Sequence, residues 1–576
     1  MMAAPRARWL SCQGPKGSPL NRRDKHWLVF AREDLTLNGV VEMRLNLHHL
    51  IDSFVIGLLG MVVAVTVCGC ASTATTVRLR EDRDSCTCDL QNDSLGSLID
   101  AALVDPEDSH AMHALAHFVE RWHRTAPHRE NEIVEGGEYR YRVSFGGSHG
   151  PYPLQYFDEI TPALDFKVKK LQHHRKPGVG APLVALRENR KREPIESYYP
   201  PEAITRPITA VIHKGALRGG VQDLRIELIC PLGSRQIMLD GEKRELAVDF
   251  SVPWAALIER AASLKRSQLL DFASTRQRRE PKLYLMEPYD PNKEPLIMIH
   301  GLLGSPLVWA ELSNALWDDD DIRARYQIWH FLYDTSAPAL YAGRLLREQM
   351  LAVRKLLDPS GRDPAMQSTT VIAHSMGAIV TRSLLTRPKN AFWDAAFTQS
   401  FDSLKLSDSD RDALREAFFW ESTPHVKRVI YIAASHRGSD FADNPIGRIG
   451  RLFAKPPKDG FQKFYERIST ANPGAFTEAY RELGSGELDS IHALSPSQPT
   501  LAILAGLPNN HAVREYSIIG NDGKPGPIEK SSDGIVEYWS SHIDRAESER
   551  IVPADHHGAL EHPESLAEVK RILKLP

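Results

Sequence analysis

The chain has 576 residues, 42% hydrophobic and 25% charged, with a formal net charge of −3. Its length allows roughly two to four domains, each with an ample core. With no long basic stripe, nothing points to a nucleic-acid partner. Its 23 histidines are scattered and pair only near residues 48, 173 and 556, which is no pattern for a metal centre. Neither a metal nor a cofactor is expected.

The first ninety residues read as an address. Ser53 to Val67 is an uncharged apolar run of about fifteen residues. A membrane span needs about 20, so the run suits the apolar region of a secretory signal. It ends in Val67-Cys68-Gly69-Cys70, which resembles the lipobox of bacterial lipoproteins. That resemblance implies cleavage before Cys70 and lipid on its thiol, and Ala71 resembles the outer-membrane sorting class. Met43-Arg44 supplies the short basic start of such a signal, so residues 1–42 read as an over-extended frame and 43–69 as the signal peptide. Cys68 and Asp52 depart from the usual pattern, and the alternative is an uncleaved N-terminal anchor. Both readings place the bulk of the protein at a membrane surface of the bacterial cell envelope. Residues 70–96 are polar and read as a tether. The six cysteines are Cys12, Cys68, Cys70, Cys86, Cys88 and Cys230; Cys86 and Cys88 are too close-set for a zinc ribbon, leaving a disulfide or free thiols.

Residues 97–282 read as a small α+β or β-rich accessory domain. Leu98–Leu103 and His110–Val119 have helical spacing of apolar positions. Tyr139–Val143, Ile208–Ile212 and Leu224–Ile229 alternate like strands between Gly and Pro turns. Pro177–Pro182 reads as a loop without the lysine of a phosphate cradle. His173-His174-Arg175, beside Lys167, Lys169 and Lys170, is a solvated basic face or an anion patch.

From residue 283 to 576 strands and helices alternate, implying an α/β fold with a mostly parallel sheet and helices on both faces. Leu283–Met286, Pro295–Ile299, Tyr326–Tyr333, Val429–Ala434 and Tyr516–Gly520 are the strands, with Arg550–Val552 weaker. Val308–Leu316, residues 340–357 and Ser565–Leu573 are helical, and Asp318–Asp321 reads as a solvated turn, with calcium the lesser alternative. In Thr369–Ala378 an apolar β-branched run meets His374-Ser375-Met376-Gly377 and then a helical stretch. Strand, tight turn, serine, helix is the layout of a nucleophile elbow, in which small residues at 373 and 377 avoid a clash across the turn. Ala373 stands where the G-x-S-x-G pattern has its first glycine.

His300-Gly301-Leu302, Ala373-His374-Ser375-Met376-Gly377, His436-Arg437-Gly438-Ser439, Ser532-Asp533-Gly534-Ile535-Val536 and Asp555-His556-His557 occur in that order over about half the chain. Together they resemble the α/β-hydrolase superfamily, and within it bacterial lipases and lipase-like esterases. The resemblance implies Ser375 as nucleophile, His556 as base with His557 the alternative, and Asp533 as acid with Asp522 the alternative. The backbone amides of Leu302 and Met376 would form the oxyanion hole. His300, Gly301, Ala373, His374 and Gly377 support the motifs, and His436 reads as structural. Residues 387–425 and 441–500 carry aromatic residues among charges, as lid helices or ordinary packed helices would.

The expected activity is cleavage of a carboxylic ester, with lipid esters among the expected substrates, through an acyl-enzyme. The same triad serves amidases, peptidases and acyltransferases. A catalytically silent surface scaffold is the rival from another class.

Overall fold

Short runs rich in Val and Ile become the strands around which the chain folds. The computed structural model describes residues 78–81, 90, 93–125, 132–146, 153–270, 281–302, 304–335, 339–442, 461–478, 480–481, 494–509 and 512–576. All of them belong to one compact unit, Val63–Pro576. The signal-like run and Cys12, Cys68, Cys70, Cys86 and Cys88 lie outside the described residues. Among those described, no helix is long and apolar enough to cross a membrane.

Helices α1 (Leu95–Ala102) and α2 (Ser109–Thr125) come first. Ser94 caps α1 by accepting the Ser97 amide at 3.1 Å. Helix α2 buries Ala111, Ala114, Leu115, Phe118, Val119 and Trp122, the stripe that three- and four-residue spacing puts on one face. That face lies on a six-stranded sheet of β1 (Glu132–Glu135), β2 (Arg140–Phe145), β3 (Glu159–Pro162), β4 (Ala181–Arg187), β5 (Ile204–Arg218) and β6 (Val221–Ile229), in the order β1-β2-β6-β5-β4-β3. All its pairings are antiparallel except β2 with β6. The stretch expected to be a loop through Pro182 is strand from Ala181 onward.

Helix α3 (Ser251–Leu270) starts where the buried Asp249 carboxylate accepts the Ser251 and Val252 amides at 3.0 Å each. Its Trp254 meets Trp317 of α4 (Ala310–Asp318), with ring centroids 4.7 Å apart. A single apolar core therefore runs from Leu228 and Trp254 to Met298, Ile328 and Ile430 of the second sheet.

That second sheet has seven strands: β7 (Lys282–Leu285), β8 (Glu294–Ile299), β9 (Tyr326–Leu332), β10 (Thr369–His374), β11 (Val426–Ile432), β12 (Arg514–Gly520) and β13 (Ser548–Val552). Their order is β7-β9-β8-β10-β11-β12-β13, and only the edge strand β7 runs antiparallel. Alternate residues serve opposite faces. Leu296, Met298, Ile372, Ile430 and Ile432 pack with α4 and with the C-terminal helix α8 (Pro563–Lys574). Ile297, Ile299, Val371, Ala373, Val429 and Tyr431 pack with α5 (Ala339–Leu357), α6 (Gly377–Leu385) and α7 (Pro499–Gly506).

Two charged surface stretches are paired as well as exposed. His173 and Arg175 pair with Asp249 at 2.6 and 3.1 Å, while His174 and Lys176 each lie 3.2 Å from Asp318. These residues thus form a paired seam rather than an anion patch, while His173 and Arg175, with Lys167, Lys169 and Lys170, stay exposed as the solvated face expected. The acidic turn keeps Asp320 and Asp321 exposed, as expected of a solvated turn, and is paired as well: Asp320 with Arg323, and Asp319 and Asp321 with Lys574 at 2.9 and 3.3 Å. The insertions after α6 and β11 meet each other. Phe397 bridges Phe476, and Trp393, Phe397, Leu404, Leu414 and Ile468 form a separate small core.

Candidate active site

Strand β8 lies between β9 and β10, so the chain leaves it toward one side and returns on the other. In open parallel sheets the crevice at such a switch point, beyond the carboxyl ends of the strands, is where ligands bind. His300-Gly301-Leu302 leaves β8 at this point, and Ser375 leaves β10 beside it.

Ser375 has φ +53°, the left-handed region that a non-glycine residue avoids without outside support. Its amide donates to the Ile432 carbonyl at 3.2 Å and its carbonyl accepts the Ser435 amide at 3.4 Å, so β11 holds the strained turn. Gly377 is demanded by close approach. A Cβ there would lie 2.4 Å from the Ile299 carbonyl oxygen and 2.9 Å from that of His300. Ala373 is fully buried between Ile299 and Tyr431, where its methyl group is accommodated.

The structure brings Ser375, His556 and Asp533 together. His556 Nε2 lies 2.9 Å from Ser375 Oγ, and its Nδ1 lies 2.8 Å from Asp533 Oδ2. All three residues are buried. Asp533 Oδ1 accepts the Ile535 and Val536 amides at 3.0 and 2.7 Å, so backbone donors fix the carboxylate. The His556 amide donates to the Asp533 carbonyl at 3.0 Å, pinning the two loops together. A carboxylate accepts only, so Nδ1 carries the proton and Nε2 is left to accept from the serine hydroxyl.

The alternatives sit elsewhere. Asp522 turns its carboxylate to Lys524 at 2.6 Å. His557 stands edge-on to His556, ring centroids 5.5 Å apart, and burial together with the His556 charge pushes its imidazole down to about 4.

A Cβ added at Gly301 would come within 2.8 Å of Ser375 Cβ, so the His300–Leu302 segment runs directly against the serine. Met376 immediately precedes α6, and the first amides of a helix have no partners within it. These are the positions expected of two oxyanion donors. His300 is fully buried, and burial pushes its imidazole down to about 4 against the opposing effect of the Gly301 carbonyl. His436 stands edge-on to Tyr431, ring centroids 4.4 Å apart, and is held well below its ordinary range by burial and then by Arg382, Arg545 and Arg437.

Tyr333 was not singled out by sequence. Its hydroxyl donates to the His300 carbonyl at 2.7 Å and its ring stacks on the His300 ring at 4.5 Å. The strand-end position of Tyr333 carried no signal of this, because the contact depends on the pairing of β8 with β9.

No protein-family model matches the chain, and no curated protein matches it. Similar solved structures include the lipase BlEst2 of Bacillus licheniformis in mature form, at 14% identity over 51% of this chain and 98% of that one, TM-score 0.30. Lipase 1 from Pelosinus fermentans is 14% identical over 50% of this chain and 100% of that one, TM-score 0.28. Carboxylesterase CesB of Bacillus subtilis is 13% identical over 52% of this chain and 88% of that one, TM-score 0.26.

Proposed function

We propose that the protein is a serine hydrolase of carboxylic esters, working on an α/β-hydrolase framework. One observation carries the reading: an unbroken hydrogen-bonded chain from Ser375 through His556 to Asp533, mounted on a strained turn at the sheet's switch point.

A serine hydroxyl is a poor nucleophile at neutral pH and needs a base within hydrogen-bond reach. As Ser375 Oγ attacks the ester carbonyl, His556 Nε2 takes its proton, and the new imidazolium is stabilised by Asp533 through Nδ1–H. Charge develops on the former carbonyl oxygen, where the Leu302 and Met376 amides receive it. Collapse breaks the bond to the alkoxide, which leaves as alcohol with the proton from His556. Water then attacks the acyl-serine with His556 as base, releasing the acid and restoring Ser375.

The accessory segment 97–282, the boundary at 283 and the lid role of the insertions 387–425 and 441–500 belong to the same proposal. So does lipidation at Cys70, which would hold the enzyme at an envelope membrane close to lipid esters. Hydrolysis of p-nitrophenyl esters of increasing chain length tests the function. Turnover by the wild type and none by Ser375→Ala supports it; equal rates for the two remove it.

A further inference from the structure

His374 is buried at 1% exposure, yet its ring touches two separate parts of the site. Its Nε2 lies 3.1 Å from the main-chain carbonyl oxygen of His556. A carbonyl only accepts, so Nε2 bears the hydrogen and donates. The other edge of the ring abuts the oxyanion segment: a Cβ built on Gly301 would lie 2.9 Å from His374 Nδ1. One imidazole thus spans from the His300–Leu302 turn to the loop carrying the base. Burial, followed by the charges of His556 and His557, keeps that imidazole neutral.

We propose that His374 is the positioning residue of this site, clamping the main chain of His556 so that its ring meets Ser375. The inference rests on the hydrolase reading above. The His556 amide is already tied to the Asp533 carbonyl at 3.0 Å. The bond from His374 ties the following carbonyl. With the N–H and C=O of residue 556 both fixed, its two backbone dihedrals are fixed, and so is the direction of its Cα–Cβ bond. The acid loop holds the base from one side and the nucleophile strand from the other. Misplacement of a reacting group by about 1 Å costs on the order of 10²-fold in rate, which is the scale of effect such a clamp controls. The hydrogen bond of His374 goes to the main chain of His556, its ring centroid lies 4.8 Å from that of the His556 ring, and in this scheme it acts through His556.

Three variants test it. His374→Gln places an amide nitrogen about where Nε2 stood, His374→Asn falls one methylene short, and His374→Phe keeps the ring without the donor. On a p-nitrophenyl ester, Asn and Phe are expected to lower kcat by about 30- to 100-fold, the scale set by misplacement, while KM stays within about twofold. Gln is expected to stay within about fivefold of wild-type kcat. Thermal unfolding of each variant checks that the fold persists, and three variants leave a comparison if one fails to fold. A Phe or Asn variant with wild-type kcat, or a Gln variant no better than Phe, overturns the proposal. A second readout does not need turnover: the downfield proton resonance of His556 Nδ1–H. It should be sharp in wild type and Gln and broadened by exchange in Phe; an unchanged signal in Phe overturns the clamp. A wild type that hydrolyses no ester removes the proposed function, and the resonance still decides the role of His374.

Discussion

His556 Nε2 meets Ser375 Oγ at 2.9 Å across 181 positions of sequence. The parallel sheet explains the meeting, because the carboxyl ends of β10, β12 and β13 lie along one edge. Loops leaving those ends carry Ser375, Asp533 and His556. The same geometry separates the two candidate acids, since Asp533 faces the imidazole and Asp522 faces Lys524.

Asp533→Asn should therefore lower kcat by roughly 10⁴-fold, because an amide cannot hold the imidazole in the reactive tautomer. Asp522→Asn should stay within about tenfold, or ~1.4 kcal/mol of barrier. Asparagine also tolerates the φ of +54° at that position. Steady-state kinetics on one ester decides between them, and the reverse order would move the acid to Asp522.

Gly377→Ala should destabilise the fold by about 1–3 kcal/mol, the usual cost of overpacking. The new methyl group would press on the carbonyls of Ile299 and His300, and backbone atoms cannot swing aside as a flexible side chain does. Urea unfolding measures the loss. A variant as stable as wild type would mean that the elbow is looser than the close approach of β8 requires.

The elbow was legible because it is local. A buried strand, a serine and small neighbours leave their mark within ten residues, and Thr369–His374 is a fully buried strand running into α6. The positions of Asp533 and His556 were legible through short loop motifs, since each stands in a loop after a strand. The seam of His173, His174, Arg175 and Lys176 was not, because its partners Asp249 and Asp318 lie far along the chain and local charge cannot distinguish pairing from solvation. The same holds for Tyr333 and for the bond from His374 to the His556 carbonyl. Contacts between strand ends follow from strand order, which hydropathy patterns do not encode. The mixed pairing of the six-stranded sheet escaped for that reason too.

His117 gives stability a dependence on pH. Its Nε2 lies 3.2 Å from Asp165 and its Nδ1 3.5 Å from Glu120. Burial opposes its charge, but hydrogen bonds and attraction from the two carboxylates outweigh burial and raise the imidazole from 6.5 to about 9. A group raised in the folded state stabilises fully below its unfolded value and ceases to do so as pH climbs through its folded one. Wild-type Tm should therefore fall between about pH 6.5 and 9 more steeply than that of His117→Gln. Equal slopes for the two would show that His117 carries no linked charge.

Radiolabelled palmitate should mark the protein in bacterial cells, and Cys70→Ala should abolish the label. An unlabelled wild type would exclude the lipoprotein reading and leave the catalytic proposal untouched, since the two rest on separate stretches of chain.

Reaction with a fluorophosphonate probe, with the adduct mapped by peptide mass spectrometry, is the most direct test that Ser375 is an activated nucleophile. The expected result is a single adduct on Ser375, absent in Ser375→Ala and greatly slowed in His556→Ala. A folded wild type that stays unmodified, or one modified at another serine, would contradict it.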